Sequence, residues 1–296
     1  MKTGRLAFVS AALGLAVIAA GAAAALLLAA DPVGVGRQTG DRNQSGGEAD
    51  LTGTDWPDGC REEVFEGARA ILCVVDASVD TLRLVYRTNQ NEVLGTVSKA
   101  SERVRQGLAP RERFVLAMNA GMYHADMEPV GLYVEEGAEI APLNREDGFG
   151  NFFLKPNGVF FVRDDGSAGV LETDAYVQAE VKPAFGTQSG PMLVIDGAIH
   201  PRFLPDGTSK FIRNGVGVRT DGTVVFAITR DKVSLGSFAR LFRNIAGCEN
   251  ALFFDGAVSS LALGGDMVID SGEPAGPVVV VIRRSNADAS SGPPEI

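Results

Sequence analysis

Leu82, Leu84 and Tyr86 alternate with Arg83 and Val85, the period-two pattern of a half-buried strand. Ala70 to Val75 is an apolar run of strand length. Gly158-Val-Phe-Phe-Val-Arg163, the turn Asp164-Asp165-Gly166, and then Val170 and Leu171 predict a hairpin. A second is predicted by Gly215-Val-Gly-Val-Arg219, the turn Thr220-Asp221-Gly222, and Thr223 to Ile228. Asp-Gly between two apolar runs is the strongest short hairpin signal. Helical spacing is rarer. Val97, Ala100 and Val104 predict a helix over Val97 to Gln106. Phe238, Leu241, Phe242 and Ile245 form an i, i+3, i+4, i+7 stripe over Ser237 to Ala246, and Gly247 follows as a stop. Such a stripe faces a core. No internal repeat is visible. The expected fold is α+β: a single domain with a large, mostly antiparallel or mixed β-sheet and a few helices packed on it.

The ends of the chain have other patterns. Lys2 and Arg5 precede a run from Leu6 to Ala30 with no charged residue. Residues 1–30 therefore read as a signal peptide or an N-terminal membrane anchor, and both fit the length. The basic side comes first, which places the rest of the chain outside the cytoplasm, periplasmic or extracellular. Any membrane contact is expected only through this segment. From 31 to 58 the composition turns to Gly, Asp, Asn, Thr and Ser, a flexible linker. Residues 285–296 read as a disordered tail, leaving 59–284 as the folded domain.

A net charge of −10 excludes a nucleic-acid partner. Cys60 and Cys73 are placed to form a disulfide between neighbouring strands, across the turn near Glu66 to Arg69, in an oxidising compartment. Cys248 then stays unpaired at the end of a helix. The cysteine spacing fits no zinc motif, and there are only two histidines.

Four glycine-flanked polar turns remain as candidate chemistry: Asn119-Ala-Gly121-Met122, Thr187-Gln188-Ser189-Gly190-Pro191, Arg213-Asn214-Gly215-Val-Gly217 and Phe253-Phe-Asp255-Gly256, the last followed by Ser259 and Ser260. Each alone is ordinary turn chemistry. As a set they put polar groups at the ends of apolar strands, where side chain and backbone can both face a ligand. Arg213 lies in an apolar and glycine context where an unpaired guanidinium is costly. Asp255 emerges directly from Leu-Phe-Phe. An Arg and an Asp so placed suggest a pocket for a phosphate or polar sugar. His124 lies just beyond the first turn, whereas His200 reads as part of a hairpin. There is no G-x-S-x-G elbow, no P-loop and no G-x-G-x-x-G after a strand.

At these residues the chain resembles the phosphodiester glycosidase family, in its bacterial exported branch. The resemblance covers about Cys60 to Arg283. It is carried by Met118-Asn-Ala-Gly-Met-Tyr123, Pro129-Val-Gly-Leu-Tyr133, Asn151-Phe-Phe-Leu-Lys-Pro-Asn-Gly-Val159, Gln188-Ser-Gly-Pro-Met192, Ile212-Arg-Asn-Gly-Val-Gly217 and Asn250-Ala-Leu-Phe-Phe-Asp-Gly256. It implies hydrolysis of a sugar-1-phosphodiester, with a phosphorylated glycan or sugar phosphodiester as partner. On that basis Asp255 is expected as nucleophile or base and Arg213 as phosphate clamp. Asn119, Gln188, Ser189, Asn214 and Ser259 are expected to bind substrate, with Gly121, Gly190, Gly215 and Gly256 allowing close approach. A second carboxylate is not evident: Asp126 and Glu128 are candidates, Asp196 and Asp231 weaker ones. No cofactor is required by the sequence. A divalent cation near Asp255 is compatible with it, and nothing in the spacing demands one. The alternative is a non-catalytic cell-envelope protein that binds phosphorylated glycans through the same turns.

Overall fold

A strand that is apolar at every position needs cover on both faces. Gly158–Val162, Val224 to Ile228 and Val278 to Ile282 are of this kind, and the computed structural model buries every residue in them. It describes residues 56–77 and 79–284. The signal or anchor (1–30), the linker as far as residue 55 and the tail (285–296) lie outside the described residues. Trp56, at the linker's end, packs against the core.

In chain order the strands are β1 (Cys60–Phe65), β2 (Ala68–Val75), β3 (Asp80–Val85), β4 (Glu112–Asn119), β5 (Tyr133–Glu135) and β6 (Ala138–Ala141). There follow β7 (Gly158–Val162), β8 (Ala168–Glu172), β9 (Phe185–Ser189), β10 (Met192–Ile195), β11 (Ala198–Ile199) and β12 (Asn214–Val218). The last are β13 (Val224–Thr229), β14 (Asn250–Asp255), β15 (Leu261–Leu263), β16 (Asp266–Ile269) and β17 (Val278–Arg284). The helices are α1 (Val97–Gln106), α2 (Thr173–Gln178) and α3 (Leu235–Arg240), the last continuing into a π-helical turn, Leu241–Ile245.

The expectation of one large sheet is corrected. The described residues form three sheets, ordered β1-β2-β13-β12-β14-β10-β11, β16-β15-β4-β17-β3 and β6-β5-β9-β7-β8. Every strand pairing is antiparallel, and with three short helices the protein is mostly β rather than α+β. The reason lies in the doubly apolar strands. Phe226 and Ile228 of the first sheet, Met118 and Val279 of the second, and Phe160 and Val162 of the third all enter one central core. The intervening residues need their own cover. Phe238, Leu241 and Phe242 pack over Val225, Ala227 and Phe253; Val97 and Ala100 over Ala117, Val278 and Val280; Tyr176 over Val159 and Phe161. A single sheet with its helices on one side would leave half of these residues in water.

Both hairpins form as expected, β7–β8 and β12–β13, with Asp165 and Asp221 accepting the N–H two residues on. The α1 bounds are as expected, with Thr96 as the cap. Helix α3, the other one expected, starts earlier than its apolar stripe, because Ser234 Oγ caps it through the Ser237 N–H at 3.1 Å. Gly247, at φ 69°, closes the π-turn. Cys60 and Cys73 stand directly opposite in the β1–β2 register and are disulfide-bonded, while Cys248 is free and buried. Among the described residues no helix is long and apolar enough to cross a membrane.

One ion pair ties β3 to β17. Asp80, with a fully buried side chain, receives Arg283 through two bonds of 2.7 Å. Replacing Asp80 by Ala should cost about 3 kcal/mol of unfolding free energy, the low end for a broken buried pair because Arg283 keeps some water. Chemical denaturation reads this directly, and a loss under about 0.5 kcal/mol would show the pair to behave like an exposed one. Removing the disulfide through Cys60→Ala and Cys73→Ala should also cost about 3 kcal/mol, for a loop of roughly fifteen residues. Equal midpoints with and without reductant would contradict that.

Candidate active site

Three sheets meet at one corner, and the polar turns arrive there because of how their strands end. β4 finishes at Asn119 in the second sheet. β12 begins at Asn214 in the first, opposite Asp255 at the end of β14, with a bulge between Asn214 and Gly215. The segment 256–260 then carries the chain from the first sheet to β15 in the second. Ser189, ending β9 of the third sheet, donates to the Phe254 carbonyl at 2.9 Å.

Asn119 and Asn214 are 1% and 0% exposed, so their amides must be satisfied inside the protein. Asn214 Nδ2 donates to the Asn119 carbonyl at 2.8 Å and to its Oδ1 at 3.0 Å. Asn214 Oδ1 accepts from the Asp255 N–H at 3.1 Å and from Ser259 Oγ at 3.3 Å. Asn119 Oδ1 also accepts from the Ser260 N–H at 2.9 Å. Ser259 Oγ lies 3.1 Å from the Asp255 carbonyl. The network is a floor that fixes the backbone on both sides of Asp255.

Asp255 itself is half-buried. The N–H groups of Gly256, Ala257 and Val258 face its carboxylate. Burial pushes its pKa above the usual carboxylate value, and these N–H groups offset only part of that.

Arg213, just before β12, is 2% exposed. Its Nε donates to the Val233 carbonyl at 2.8 Å and one Nη to the Ser209 carbonyl at 3.0 Å. The guanidinium lies 5.4 Å from the Phe253 ring centre and 5.6 Å from that of Phe211. The other Nη has no partner, and a Cβ on Gly256 would come within 3.5 Å of it. Burial lowers its pKa to about 10. Arg213 therefore sits behind Gly256, deeper than an open clamp.

The remaining expected residues separate. Gln188 points away from the corner. Its Oε1 accepts from the Leu132 and Asn144 N–H groups, and its Nε2 donates to the Asn144 carbonyl and Thr173 Oγ1. That uses its full bonding capacity. The Thr187-Gln-Ser189 turn is in fact strand β9. Gly121, Gly190 and Gly215 let protein approach protein: an added Cβ would meet Thr187 Oγ1 at 2.3 Å, the Phe152 carbonyl at 2.6 Å and the Leu252 carbonyl at 2.5 Å. His124 is exposed; His200 is buried beside Phe203, next to the β10–β11 hairpin. Asp126 caps its own turn, Glu128 pairs with Arg87, and Asp231 with Arg69. Asp196 sits at φ 46° in the β10–β11 turn. Among the described residues no three His, Cys, Asp or Glu side chains gather to hold a metal ion.

Two further residues near the corner are not among the expected site residues. Tyr123 donates its phenol to the Pro274 carbonyl, and Glu273 is the residue before that proline. Glu273 belongs to no motif, and only the folding of residues 270–276 against the first turn brings it near.

The profile of the phosphodiester glycosidase family matches residues 112–282, from β4 to β17, which includes Asn119, Arg213, Asn214, Asp255 and Ser259. The uncharacterized protein YigE of Escherichia coli (strain K12) is 31% identical over 194 residues, 66% of this chain and 74% of its own. Among solved structures, one similar fold is the catalytic domain of zebrafish N-acetylglucosamine-1-phosphodiester alpha-N-acetylglucosaminidase, auto-inhibited by its pro-peptide. It has a TM-score of 0.53 and 13% identity, over 76% of this chain and 82% of that one. A hypothetical protein from Synechocystis reaches 0.50 at 14% identity, over 76% and 61%. These two likenesses concern the fold, while the profile spans more than half of the chain. The protein belongs to the phosphodiester glycosidase family.

Proposed function

We propose that the chain is an exported hydrolase that cleaves a sugar-1-phosphodiester, separating the sugar from the phosphate-bearing group. One observation carries the reading. A desolvated carboxyl, Asp255, and a desolvated guanidinium, Arg213, stand on either side of Gly256 without forming an ion pair with each other. A purely structural pair would close up, since unpaired buried charges are costly. Kept apart, they suit a ligand with two poles.

The bond broken joins the anomeric carbon to a phosphate oxygen. Phosphate departs readily as an anion, so the demand for an acid is small. The needs are positive field at the phosphate and negative charge opposite the oxocarbenium-like carbon. Arg213, through its unpartnered Nη behind Gly256, supplies the first, and Asp255 the second. Asn119, Asn214 and Ser259 keep the Asp255 turn in place. Export is supported by the Cys60–Cys73 disulfide, which fits an oxidising compartment, and by the uncharged run from Leu6 to Ala30.

A panel of sugar-1-phosphodiesters, assayed with and without chelator, tests the reading. Wild-type protein should turn over at least one of them, and Asp255→Asn should lose that turnover roughly a thousandfold while still binding the substrate. Binding without turnover by the wild type would favour a glycan-binding envelope protein instead.

The raised pKa of Asp255 also has a signed consequence for stability. A carboxyl with a folded pKa above its unfolded one contributes most below the unfolded value, and that contribution is lost as pH rises through the folded one. Ionised Asp255 therefore destabilises the fold at neutral pH. Asp255→Asn, which keeps an oxygen for the three N–H groups, should melt higher than wild type at pH 7. The gap should shrink as pH falls toward 3.8. A lower melting temperature for the variant at pH 7 would refute this.

A further inference from the structure

Hydrolysis also needs a group that takes the proton of the attacking water. Asp126, Glu128 and Asp231 are occupied elsewhere, and Asp196 lies in the β10–β11 turn. The segment 270–276, between β16 and β17, is different. It is fastened to the site at two points. At the first, Ser271 meets Ser260 Oγ through both its N–H and its hydroxyl, each at 3.0 Å, and Ser271 Oγ accepts the Glu273 N–H at 3.3 Å. Ser260 is the residue whose N–H is held by Asn119. At the second, the Tyr123 phenol donates to the Pro274 carbonyl. Its ring packs against Gly276, where an added Cβ would come within 2.7 Å of ring carbons.

Glu273 sits between these two fasteners and is exposed to water. Both fasteners start from site residues: one from the Asn119–Ser260 bond, the other from the end of the Asn119–Tyr123 turn. The phenol is within electrostatic reach of Asp255 and of Glu273. Burial, then these two charges, push it up to about 12, so it stays protonated.

We infer that Glu273 is the second carboxylate of this site, the general base for water, and that Tyr123 is the positioning residue that holds it there. This rests on the reading of the chain as a sugar-1-phosphodiester hydrolase. Glu273 takes one proton from water as the water oxygen bonds the anomeric carbon. The bond from that carbon to the phosphate oxygen breaks, and its electron pair leaves with the phosphate. Asp255 faces the positive charge that develops between these events.

The full chain tests this with the substrate of the panel that it turns over fastest. Glu273→Gln should lower kcat roughly a hundredfold, and azide should restore turnover by forming the glycosyl azide. Azide should not rescue Asp255→Asn. Tyr123→Phe should lower kcat as well, and the double variant should be no slower than Glu273→Gln alone. A wild-type kcat in Glu273→Gln would overturn the inference. An arm independent of turnover uses a fluorinated tyrosine at position 123, with a phenol that titrates within the stable pH range of the protein, followed by fluorine NMR. Its titration should move down in Glu273→Gln and in Asp255→Asn. No movement in Glu273→Gln removes Glu273 from the site, whatever the panel shows. A clear shift with a silent panel counts against the hydrolase reading alone.

Discussion

Everything at the corner depends on one pair of side-chain amides. Asn119 ends a strand of one sheet and Asn214 begins a strand of another, and their mutual bonds are made where water is absent. A buried amide without partners costs more than a made hydrogen bond contributes. The two sheets are thereby held in a single register at this point. The Asp255 N–H and the Ser260 N–H complete the same pair, so the Asp255 turn is fixed by the joint between the sheets. Packing alone would tolerate sliding by fractions of an ångström, whereas four directional bonds do not.

The charges are arranged on that base in an unfavourable way. Asp255 and Arg213 are both taken out of water, and neither is neutralised by the other. Cation–π contact with two phenylalanines and bonds to two carbonyls make the arginine tolerable, and three backbone N–H groups do the same for the aspartate. Such local instability persists only where the surrounding structure over-determines it. Here the shared core of three sheets supplies that support.

Much of this is legible in the chain. Asp-Gly turns with apolar flanks specify the two hairpins through their φ requirements alone, and opposed cysteines across one turn specify the disulfide. The division into three sheets is less legible, because a strand apolar on both faces looks the same in one sheet or another. What differs is which helix covers it, a long-range matter. At the site, Asn119, Asn214, Asp255 and Ser259 converge as their strand-end positions suggest. Gln188 does not, since alternation along β9 turns its side chain to the opposite face from Ser189. Glu273 belongs to no sequence pattern, because the placement of its segment comes in part from Tyr123, a contact between segments far apart in sequence.

The buried floor has a consequence for how such a protein diversifies. Asn119, Asn214 and Ser259 have no freedom to change without loosening the joint between sheets, yet they see no solvent. The rim, by contrast, carries exposed side chains such as Ala257 and Phe211. On the proposed reading, recognition of a different sugar or phosphate-bearing group would be rewritten there, while the Asp255 turn stays on its fixed floor. On that reading the fixed floor and the variable rim are separate parts of the molecule, and libraries aimed at new substrates belong on the rim.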